Sequence, residues 1–345
     1  MIKTAYYQDL TKMNTFGMKV KARCFIEYDS VADLVDIEFE ELARPVLHIG
    51  GGSNLLFTDD FKGTVLHSKI NFIEIISETS DKVLVSVGAG VVFDDFCEWA
   101  AKEGLWGVEN LSYIPGEVGA SAVQNIGAYG VEVKDVIKTV YCYDTVDEEF
   151  VNFDVEDLEY GYRDSAFKDP EIKGRYIVTH VVFALSLTPQ PKLDYGHLKE
   201  AVEATGTELT PLLIRKVIIK IRKEKLPEPS VMGSAGSFFK NPVITADHFA
   251  RIEAAAKAEL GADYKVPHYD LPDGTVKVPA AWMIEQCGWK GKRSGNAAVY
   301  DKQPLVIVNY TGEAFPEEII SLERRIIASI KAKFDIILHP EVEHI

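Results

Sequence analysis

A segment rich in small residues, LSYIPGEVGASAVQNIGAYG at 111–130, contains the residue types best suited to binding chemistry. Glycines allow positive φ and let backbone N–H groups approach a ligand closely. Ser121, Gln124 and Asn125 add short polar side chains, and Glu117 is the only charged residue. Such a segment could bind a large, flat, partly anionic ligand, or it could be a tight connection between two strands.

A second glycine turn, IGGGSNLL at 49–56, follows the apolar run at 45–48. Three consecutive glycines followed by Ser53 and Asn54 form a typical nest of backbone donors for phosphate. The chain contains no GxxxxGK[ST] motif, and the Gly-Ala-Gly at 88–90 lacks the rest of a dinucleotide fingerprint. A phosphate-bearing cofactor would therefore be bound in another way.

The chain is acidic, with 37 Lys and Arg against 53 Asp and Glu and a net charge of −16. This charge argues against binding to nucleic acid or to anionic membranes. The stretch RKVIIKIRKEK at 215–225 is an exception, with six basic residues and one glutamate. It is either a solvated helix face or a positively charged surface that attracts an anionic substrate. The sequence leaves both open.

A length of 345 residues, with 47% hydrophobic and 26% charged residues, predicts an ordinary globular protein of two or three domains. No signal peptide or membrane span is expected. The four cysteines are scattered, without CxxC motifs or Cys/His clusters: Cys24, Cys97, Cys142 and Cys287. We interpret them as reduced, buried thiols of a cytoplasmic protein, and we expect no metal site.

Periodicity and breaker residues predict the elements that position these segments. Strands are expected within 14–30, at 45–49, within 63–91, and at 136–144 and 176–187. Helices are expected at 31–43, 92–104, 210–226, 246–260, 279–290 and 315–334. The small-residue segment 111–130 is expected to be a loop.

This alternation predicts an α+β fold in several parts. We assign 1–70 and 71–199 to two subdomains and 200–312 to a further domain. The C-terminal helix and tail at 313–345 are expected to return to the first two parts. The proline-rich sequence Thr188-Pro189-Gln190-Pro191 marks a composition shift near one boundary.

Six short strings, read in order, resemble those of one enzyme family. They are Asn14-Thr15-Phe16-Gly17, Gly50–Asn54, Pro115–Gly130, Tyr162-Arg163-Asp164-Ser165, Gly236-Ser237-Phe238-Phe239-Lys240-Asn241-Pro242, and Pro340-Glu341-Val342. The chain thereby resembles the UDP-N-acetylenolpyruvoylglucosamine reductase family, flavoenzymes of early peptidoglycan synthesis. The resemblance runs from about residue 14 to the end of the sequence.

The resemblance implies a cofactor and a fold. The family has the FAD-binding fold of the vanillyl-alcohol oxidase type, with two α+β subdomains around FAD and a separate α+β domain over the flavin ring. Neither glycine turn contains histidine or cysteine, so noncovalent FAD is expected. By resemblance, the FAD contacts are Gly50, Gly51, Gly52, Ser53, Asn54, Gly116, Gly119, Ser121, Gln124, Asn125, Gly127 and Ala128.

The implied reaction is NADPH-dependent reduction of UDP-N-acetylglucosamine enolpyruvate to UDP-N-acetylmuramate. Hydride from flavin N5 adds to the terminal enolpyruvyl carbon, and the adjacent carbon takes a proton. The resemblance assigns that proton to Ser237, and Arg163 and Glu341 to the other two catalytic positions. On residue type alone, the three could equally be a loop hydroxyl, an ion pair with Asp164 and a solvated tail residue.

The resemblance also implies residues that bind the UDP-sugar: Tyr162, Tyr195, Lys225, Asn241 and Gln286. The loop LDYGHL at 193–198 is similar to the tyrosine loop of the family's type I branch, which folds over substrate. Lys225 ends the basic stretch, so charge and resemblance agree there.

Two features depart from the family. Many relatives have an arginine and an aromatic residue after Pro-Glu-Val, whereas this chain has Glu343-His344-Ile345. The link 244–278 carries no motif that we can place.

Two alternatives to this function stay open. One is another flavin oxidase or dehydrogenase of the same fold that acts on a different substrate, and the other is a nucleotide-binding or regulatory protein that kept the fold but lost the reaction. We expect a cytoplasmic monomer with no nucleic-acid or membrane partner.

Overall fold

The computed structural model describes residues 1–345, which cluster into two compact units. Unit 1 comprises Met1–Met13, Val20–Ser53 and Asp60–Glu224, and unit 2 comprises Asn14–Lys19, Asn54–Asp59 and Lys225–Ile345. Two short early segments therefore belong to the unit that contains the C-terminal third. The four-part division given above stays a prediction.

The strands are short and are distributed over both units. In chain order they are β1 (Lys3–Asp9), β2 (Lys21–Tyr28), β3 (Val46–Ile49), β4 (Leu55–Leu56), β5 (Phe61–Ser68), β6 (Ile73–Glu78), β7 (Lys82–Gly88), β8 (Gly127–Ala128), β9 (Val131–Glu132) and β10 (Ile137–Asp144). They continue with β11 (Glu149–Asp154), β12 (Tyr176–Ser186), β13 (Gly233–Ser237), β14 (Val243–Thr245), β15 (Tyr269–Asp270), β16 (Thr275–Lys277), β17 (Arg293–Ser294), β18 (Ala297–Val299), β19 (Val306–Asn309) and β20 (Glu343–His344).

Eight α-helices complete the fold, and none is both long and apolar enough to cross a membrane. They are α1 (Val31–Val35), α2 (Phe93–Lys102), α3 (Val118–Gln124), α4 (Leu198–Glu203), α5 (Pro211–Lys225), α6 (Ala246–Leu260), α7 (Ala280–Gln286) and α8 (Pro316–Phe334). The helices predicted at 92–104, 210–226, 246–260 and 315–334 are confirmed.

Unit 1 contains two main sheets. The first has the order β1-β2-β5-β3, with β5 parallel to both β2 and β3. The second is antiparallel, with the order β11-β10-β12-β7-β6. Its buried face packs on α2 and α3, where the rings of Phe96 and Phe183 lie 4.6 Å apart. Burial of these apolar side chains stabilises the core, and the core in turn holds the segment that leads into 111–130.

Unit 2 contains the four-stranded sheet β13-β19-β18-β17, the three-stranded sheet β14-β16-β15 and the parallel pair β4-β20. Helix α8 buries Ile319, Leu322, Ile326 and Ile330, which recur at helical spacing. The unplaced link 244–278 consists of the three-stranded sheet together with α6.

Three expected elements differ from the structure. The helix predicted at 31–43 is only α1, because Ile37 and Phe39 are both buried at a spacing of two, which a continuous helix cannot provide. The helix predicted at 279–290 ends at Gln286, and Gly288 follows with φ +68°. Strand β1 was not expected, because none of its seven residues is buried.

The segment 111–130 is not a plain loop, since it contains α3. Ala120 and Ala122 favour helix, and the buried Val118 and Ala122 attach it to the core. Asn125 ends the helix in the left-handed conformation, with φ 44° and ψ 59°.

Candidate active site

The two glycine turns meet in unit 1. A Cβ on Gly51 would lie 3.3 Å from the Cα of Gly116, and a Cβ on Gly116 would lie 2.9 Å from Ser53 Oγ. Ser53 Oγ donates a 3.1 Å hydrogen bond to the carbonyl of Pro115. The structure thus brings together residues that are more than 60 positions apart in sequence. Side chains at these glycines would fill the cradle between the turns.

The backbone of the segment 111–130 is held by the residues that precede α2. The N–H groups of Val118 and Gly119 donate to the carbonyls of Val91 and Ala89, at 2.9 and 3.0 Å. A Cβ on Gly119 would lie 2.9 Å from the Cβ of Ala89. Gly119 therefore permits close packing, and its N–H is already used within the protein.

The end of α3 carries an unused donor. Gln124 Nε2 is buried and has no hydrogen-bond partner within the protein. A buried amide donor without a partner is costly, and a ligand carbonyl would satisfy it. This orphaned donor, together with the glycine cradle, fits a cofactor such as FAD.

Two other predicted FAD contacts use their side chains within the protein. Ser121 Oγ donates to the carbonyl of Val118 at 2.7 Å, and Asn125 Nδ2 donates to the carbonyl of Gly161 at 2.7 Å. Both residues are buried. Their side chains support the turn, so we expect contacts with a cofactor to come from their backbone.

Arg163 lies against the same turn. Its Nη2 donates to the carbonyl of Gly127 at 2.7 Å, and its guanidinium lies 5.3 Å from the ring centre of Tyr162. Arg163 has φ 55°, a conformation that is costly for a non-glycine residue. A fixed guanidinium is well suited to binding a carboxylate.

Tyr195 also reaches the glycine turn. Its ring contacts the ring of Tyr129 edge-on at 6.1 Å, and its Cβ lies 3.6 Å from the position of a Cβ on Gly130. Tyr195 is 46% exposed. Unit 1 thus assembles Tyr162, Arg163 and Tyr195 around residues 127–130.

Unit 2 brings Ser237 and Glu341 onto neighbouring segments. Ser237 ends β13 and is half-buried, after Gly236 with φ +71°. The N–H of Glu341 donates to the carbonyl of Phe238 at 2.8 Å, and Phe239 bridges Pro340. Glu341 is half-buried. Its backbone is therefore held in place, and its catalytic role stays a prediction.

The Asn14-Thr15-Phe16-Gly17 string supports the serine strand. The N–H of Ser234 donates to the carbonyl of Thr15 at 2.9 Å. A Cβ on Gly233 would lie only 2.2 Å from the carbonyl oxygen of Phe16. Asn309 Nδ2 donates to the same oxygen at 3.1 Å. This string positions the strand that carries Ser237.

The remaining predicted residues lie in unit 2. Asn54 Nδ2 donates to the carbonyl of Glu341 at 3.0 Å, and Asn241 Oδ1 accepts from the N–H of Ala280 at the start of α7. Gln286 ends α7, and its carbonyl accepts from Lys333 Nζ. Lys225 is the exposed last residue of α5.

The basic stretch 215–225 divides by residue type. Arg215 is buried and pairs with Asp94, with Nη2 3.0 Å from Oδ2. Arg222 Nε donates to the carbonyl of Tyr113. The four lysines of the stretch are exposed. The arginines are therefore structural, and only the lysines form the charged surface.

A buried polar network beside the glycine turn at 49–56 was not predicted from the sequence. His67 Nε2 lies 3.0 Å from Glu117 Oε1, and the other ring nitrogen of His67 lies 3.4 Å from Glu27. The hydroxyl of Tyr28 lies 2.8 Å from His48 Nε2. Burial, with a smaller effect from His67, lowers the pKa of His48 to about 4. The available sequence signal for this network was Glu117, the only charged residue among the small residues of 111–130.

The cysteines form no disulfide. Three are buried as expected, and burial raises the pKa of the Cys97 thiol. Cys287 is half-buried, which corrects the expectation that all four are buried.

Two family models match the chain. Residues 22–153 match an FAD binding domain, and residues 228–345 match the C-terminal domain of UDP-N-acetylenolpyruvoylglucosamine reductase. The model of the FAD domain covers the glycine turn at 49–56 and the segment 111–130, and that of the C-terminal domain covers Ser237 and Glu341.

Full-length relatives agree with these matches. The UDP-N-acetylenolpyruvoylglucosamine reductase of Bacteroides fragilis is 51% identical over 338 residues, which are 97% of this chain and 98% of the relative. That of Porphyromonas gingivalis is 44% identical over 97% of each chain.

A solved structure shows the same fold. The crystal structure of UDP-N-acetylenolpyruvylglucosamine reductase from Thermus caldophilus matches with a TM-score of 0.67 at 23% identity, over 100% of this chain and 98% of that one. The predicted fold class is confirmed. The chain belongs to the UDP-N-acetylenolpyruvoylglucosamine reductase family of flavin-dependent oxidoreductases.

Proposed function

We propose that the protein reduces UDP-N-acetylglucosamine enolpyruvate to UDP-N-acetylmuramate in peptidoglycan precursor synthesis, with NADPH as reductant and noncovalent FAD as cofactor. Family membership supports the reaction class. The observation that carries the proposal is the fixed pairing of Ser237–Phe238 with Glu341 in a family member, with Glu341 N–H bonded to Phe238 at 2.8 Å. The reaction needs a proton donor and a charge-stabilising group.

The glycine cradle of unit 1 would hold FAD. Residues 50–53 and 116–119 supply close backbone approach, and Gln124 supplies the orphaned amide donor. When bound, FAD supplies hydride to the terminal carbon of the enolpyruvyl group after reduction by NADPH. Asn54, Ser121, Asn125, Gly127 and Ala128 complete the proposed set of FAD contacts.

The protein's own residues would stabilise the charge on the substrate carboxylate and supply the proton for the adjacent carbon. Negative charge builds on the substrate carboxylate as the alkene is reduced, and the guanidinium of Arg163 would stabilise it. Glu341, if protonated in a dry site, would donate a hydrogen bond to the same carboxylate. Ser237 Oγ–H would then give its proton to the carbon next to the carboxylate. A hydroxyl is a weak acid, so this step requires a strongly basic carbon and little water.

Five residues would bind the UDP-sugar, and NADPH would occupy the same site first and then leave. The lysine at the end of the basic α5 would attract the diphosphate. The others would hold the sugar and the substrate carboxylate. The proposed substrate residues are Tyr162, Tyr195, Lys225, Asn241 and Gln286. We further propose that the protein acts as a cytoplasmic monomer.

An anaerobic colour series tests this function. The purified protein should be yellow and should release FAD on denaturation, NADPH should bleach it, and UDP-N-acetylglucosamine enolpyruvate should restore the colour. UDP-N-acetylglucosamine, which lacks the alkene, is the matched control and should leave the protein bleached. If oxygen restores the colour but the enolpyruvyl substrate does not, the protein is a different flavin oxidoreductase. A colourless protein that binds no FAD would be non-enzymatic.

A further inference from the structure

Residues 340–345, which we call the tail strap, run between two segments of unit 2. On one side, Glu341 N–H donates to Phe238, and Lys240 N–H donates to the carbonyl of His339. On the other side, β20 pairs with β4, with Glu343 N–H donating to the carbonyl of Asn54 at 2.9 Å. The strap therefore links the segment after Ser237 to residues 54–56.

The strap fixes the backbone of Glu341 at both ends. Its N–H donates to Phe238 at 2.8 Å, and its carbonyl accepts from Asn54 Nδ2 at 3.0 Å. The direction of the Glu341 side chain then depends on the register of the strap, because successive side chains of an extended segment point to opposite faces. A slip of one residue would turn Glu341 away and expose Val342, which is 3% exposed.

Pairing with β4 alone specifies this register weakly. The ladder between β4 and β20 contains only two residue pairs, Glu343 with Leu55 and His344 with Leu56. A short ladder of this kind is marginal without side-chain contacts. Further interactions hold the strap in place, and Thr58 supplies two of them, because its N–H and its hydroxyl both donate to the carbonyl of Ile345, at 2.8 and 2.7 Å.

A buried carboxylate supplies one of these interactions. His344 Nε2 lies 3.3 Å from Oε2 of Glu323 on α8, and the Glu323 side chain is only 8% exposed. The His344 ring also lies 6.1 Å from the ring of Phe238, the residue after Ser237. His344 thus contacts both the helix and the serine segment.

The environment disfavours the charged form of both groups. Burial raises the pKa of Glu323 and lowers the pKa of His344, and Arg324 lowers the pKa of both. Glu323 Oε2 is buried and makes no hydrogen bond, and His344 Nε2, at 3.3 Å, is the polar group beside it. A buried polar atom that loses the polar group beside it is costly, so a slipped strap is disfavoured.

We propose that Glu323 and His344 are positioning residues, which hold the tail strap in the register that directs Glu341 toward its catalytic role beside Ser237. This inference rests on the proposed function for the role of Glu341. The fixation of the strap by Glu323 and His344 does not depend on it.

Two variants and a control test the pair. His344→Phe keeps a ring against Phe238 but leaves Glu323 without its partner. Glu323→Leu combined with His344→Phe replaces the pair by an apolar contact, which often restores stability. Lys331→Gln, on the same helix as Glu323, removes an exposed ion pair with Asp335 just after the helix and is the matched control.

Amide hydrogen exchange measures directly how firmly the tail strap is held. In His344→Phe, exchange at the Glu341 and Glu343 amides should rise about tenfold, with α8 amides unchanged. The double variant and Lys331→Gln should exchange like the wild type. Wild-type exchange at both amides in His344→Phe would overturn the proposal, whatever reaction the protein catalyses.

The rates of the two anaerobic half-reactions measure the effect on Glu341. His344→Phe should slow flavin reoxidation by the enolpyruvyl substrate about tenfold or more, while flavin reduction by NADPH stays unchanged. The double variant should recover to within about threefold of wild type. Equal losses in both half-reactions, or no recovery in the double variant, would contradict a positioning role.

Discussion

Ser237 is the residue on which the proposed chemistry depends. It ends β13 beside the strap that carries Glu341, and both are half-buried. Sequence strings alone indicated these two residues, but their residue types were equally compatible with a loop hydroxyl and a solvated tail. The hydrogen bonds of Glu341 to Phe238 and Asn54 could not be read from the sequence, because the partners lie about 100 and 287 positions away.

Ser237→Ala should separate the two half-reactions. Flavin reduction by NADPH should be nearly unchanged, because no proton from Ser237 is needed there. Reoxidation by the enolpyruvyl substrate should fall about 10³-fold, within the range of general acid catalysis. Stopped-flow absorbance of the flavin measures both rates.

The matched control for this variant is Ser234→Ala. Ser234 is buried on the same strand, and its N–H is bound to Thr15. It should leave the ratio of the two rates unchanged. An equal loss of both rates in Ser237→Ala would show that Ser237 is not the proton donor.

His48 should make the protein less stable in mild acid. Its pKa is about 4 in the folded state, because burial disfavours the charged ring, against about 6.5 in the unfolded chain. Between these values the unfolded state binds more protons, so stability falls as pH decreases through this window. The contribution is at most about 1.4 kcal/mol per pH unit.

Urea unfolding of wild type and His48→Gln at several pH values between 7.5 and about 4.5 checks this linkage. Glutamine can keep a hydrogen bond to Tyr28 but does not titrate. The difference in unfolding free energy between the two proteins should shift in favour of the variant as the pH falls. A constant difference would show that His48 titrates normally.

At the scale of elements, the glycine-rich strings serve packing as well as ligand binding. The contact between Gly233 and Phe16 joins β13 to the string at 14–17. The segment 111–130 was expected to be a loop because of its glycines, yet α3 forms there because alanines and buried Val118 favour a helix. Propensity and burial outweighed the glycine signal.

Gly233→Ala should destabilise unit 2. Its Cβ would lie 2.2 Å from the backbone oxygen of Phe16, so β13 or the string at 14–17 must move. Overpacking of this kind costs about 3 kcal/mol. The free energy of unfolding from urea titration measures the loss.

Gly274→Ala is the comparison for this variant. Gly274 has φ +80° and no atom near its Cβ position, so only backbone strain of about 1–2 kcal/mol is expected. If Gly233→Ala costs no more than Gly274→Ala, the close approach to Phe16 is not a structural constraint.

At the scale of the whole molecule, local patterns predicted most of the elements, and the resemblance predicted the family. Helices α2, α5, α6 and α8 follow from periodicity and breaker residues. The interleaving of segments 14–19 and 54–59 into unit 2 was not predictable, because it depends on pairing with the distant C-terminal third. The polar network around His67 was not predictable either, because its partners Glu27 and Glu117 lie 40 and 50 positions away in sequence.

Analysis of the reaction product tests the central proposal most directly. Incubated anaerobically with NADPH and UDP-N-acetylglucosamine enolpyruvate, the protein should convert one substrate molecule per NADPH consumed. Mass spectrometry should show a nucleotide sugar heavier by two hydrogen atoms, with a lactyl group in place of the alkene. Recovery of the unchanged enolpyruvyl nucleotide, with NADPH oxidised only when oxygen is admitted, would contradict the account.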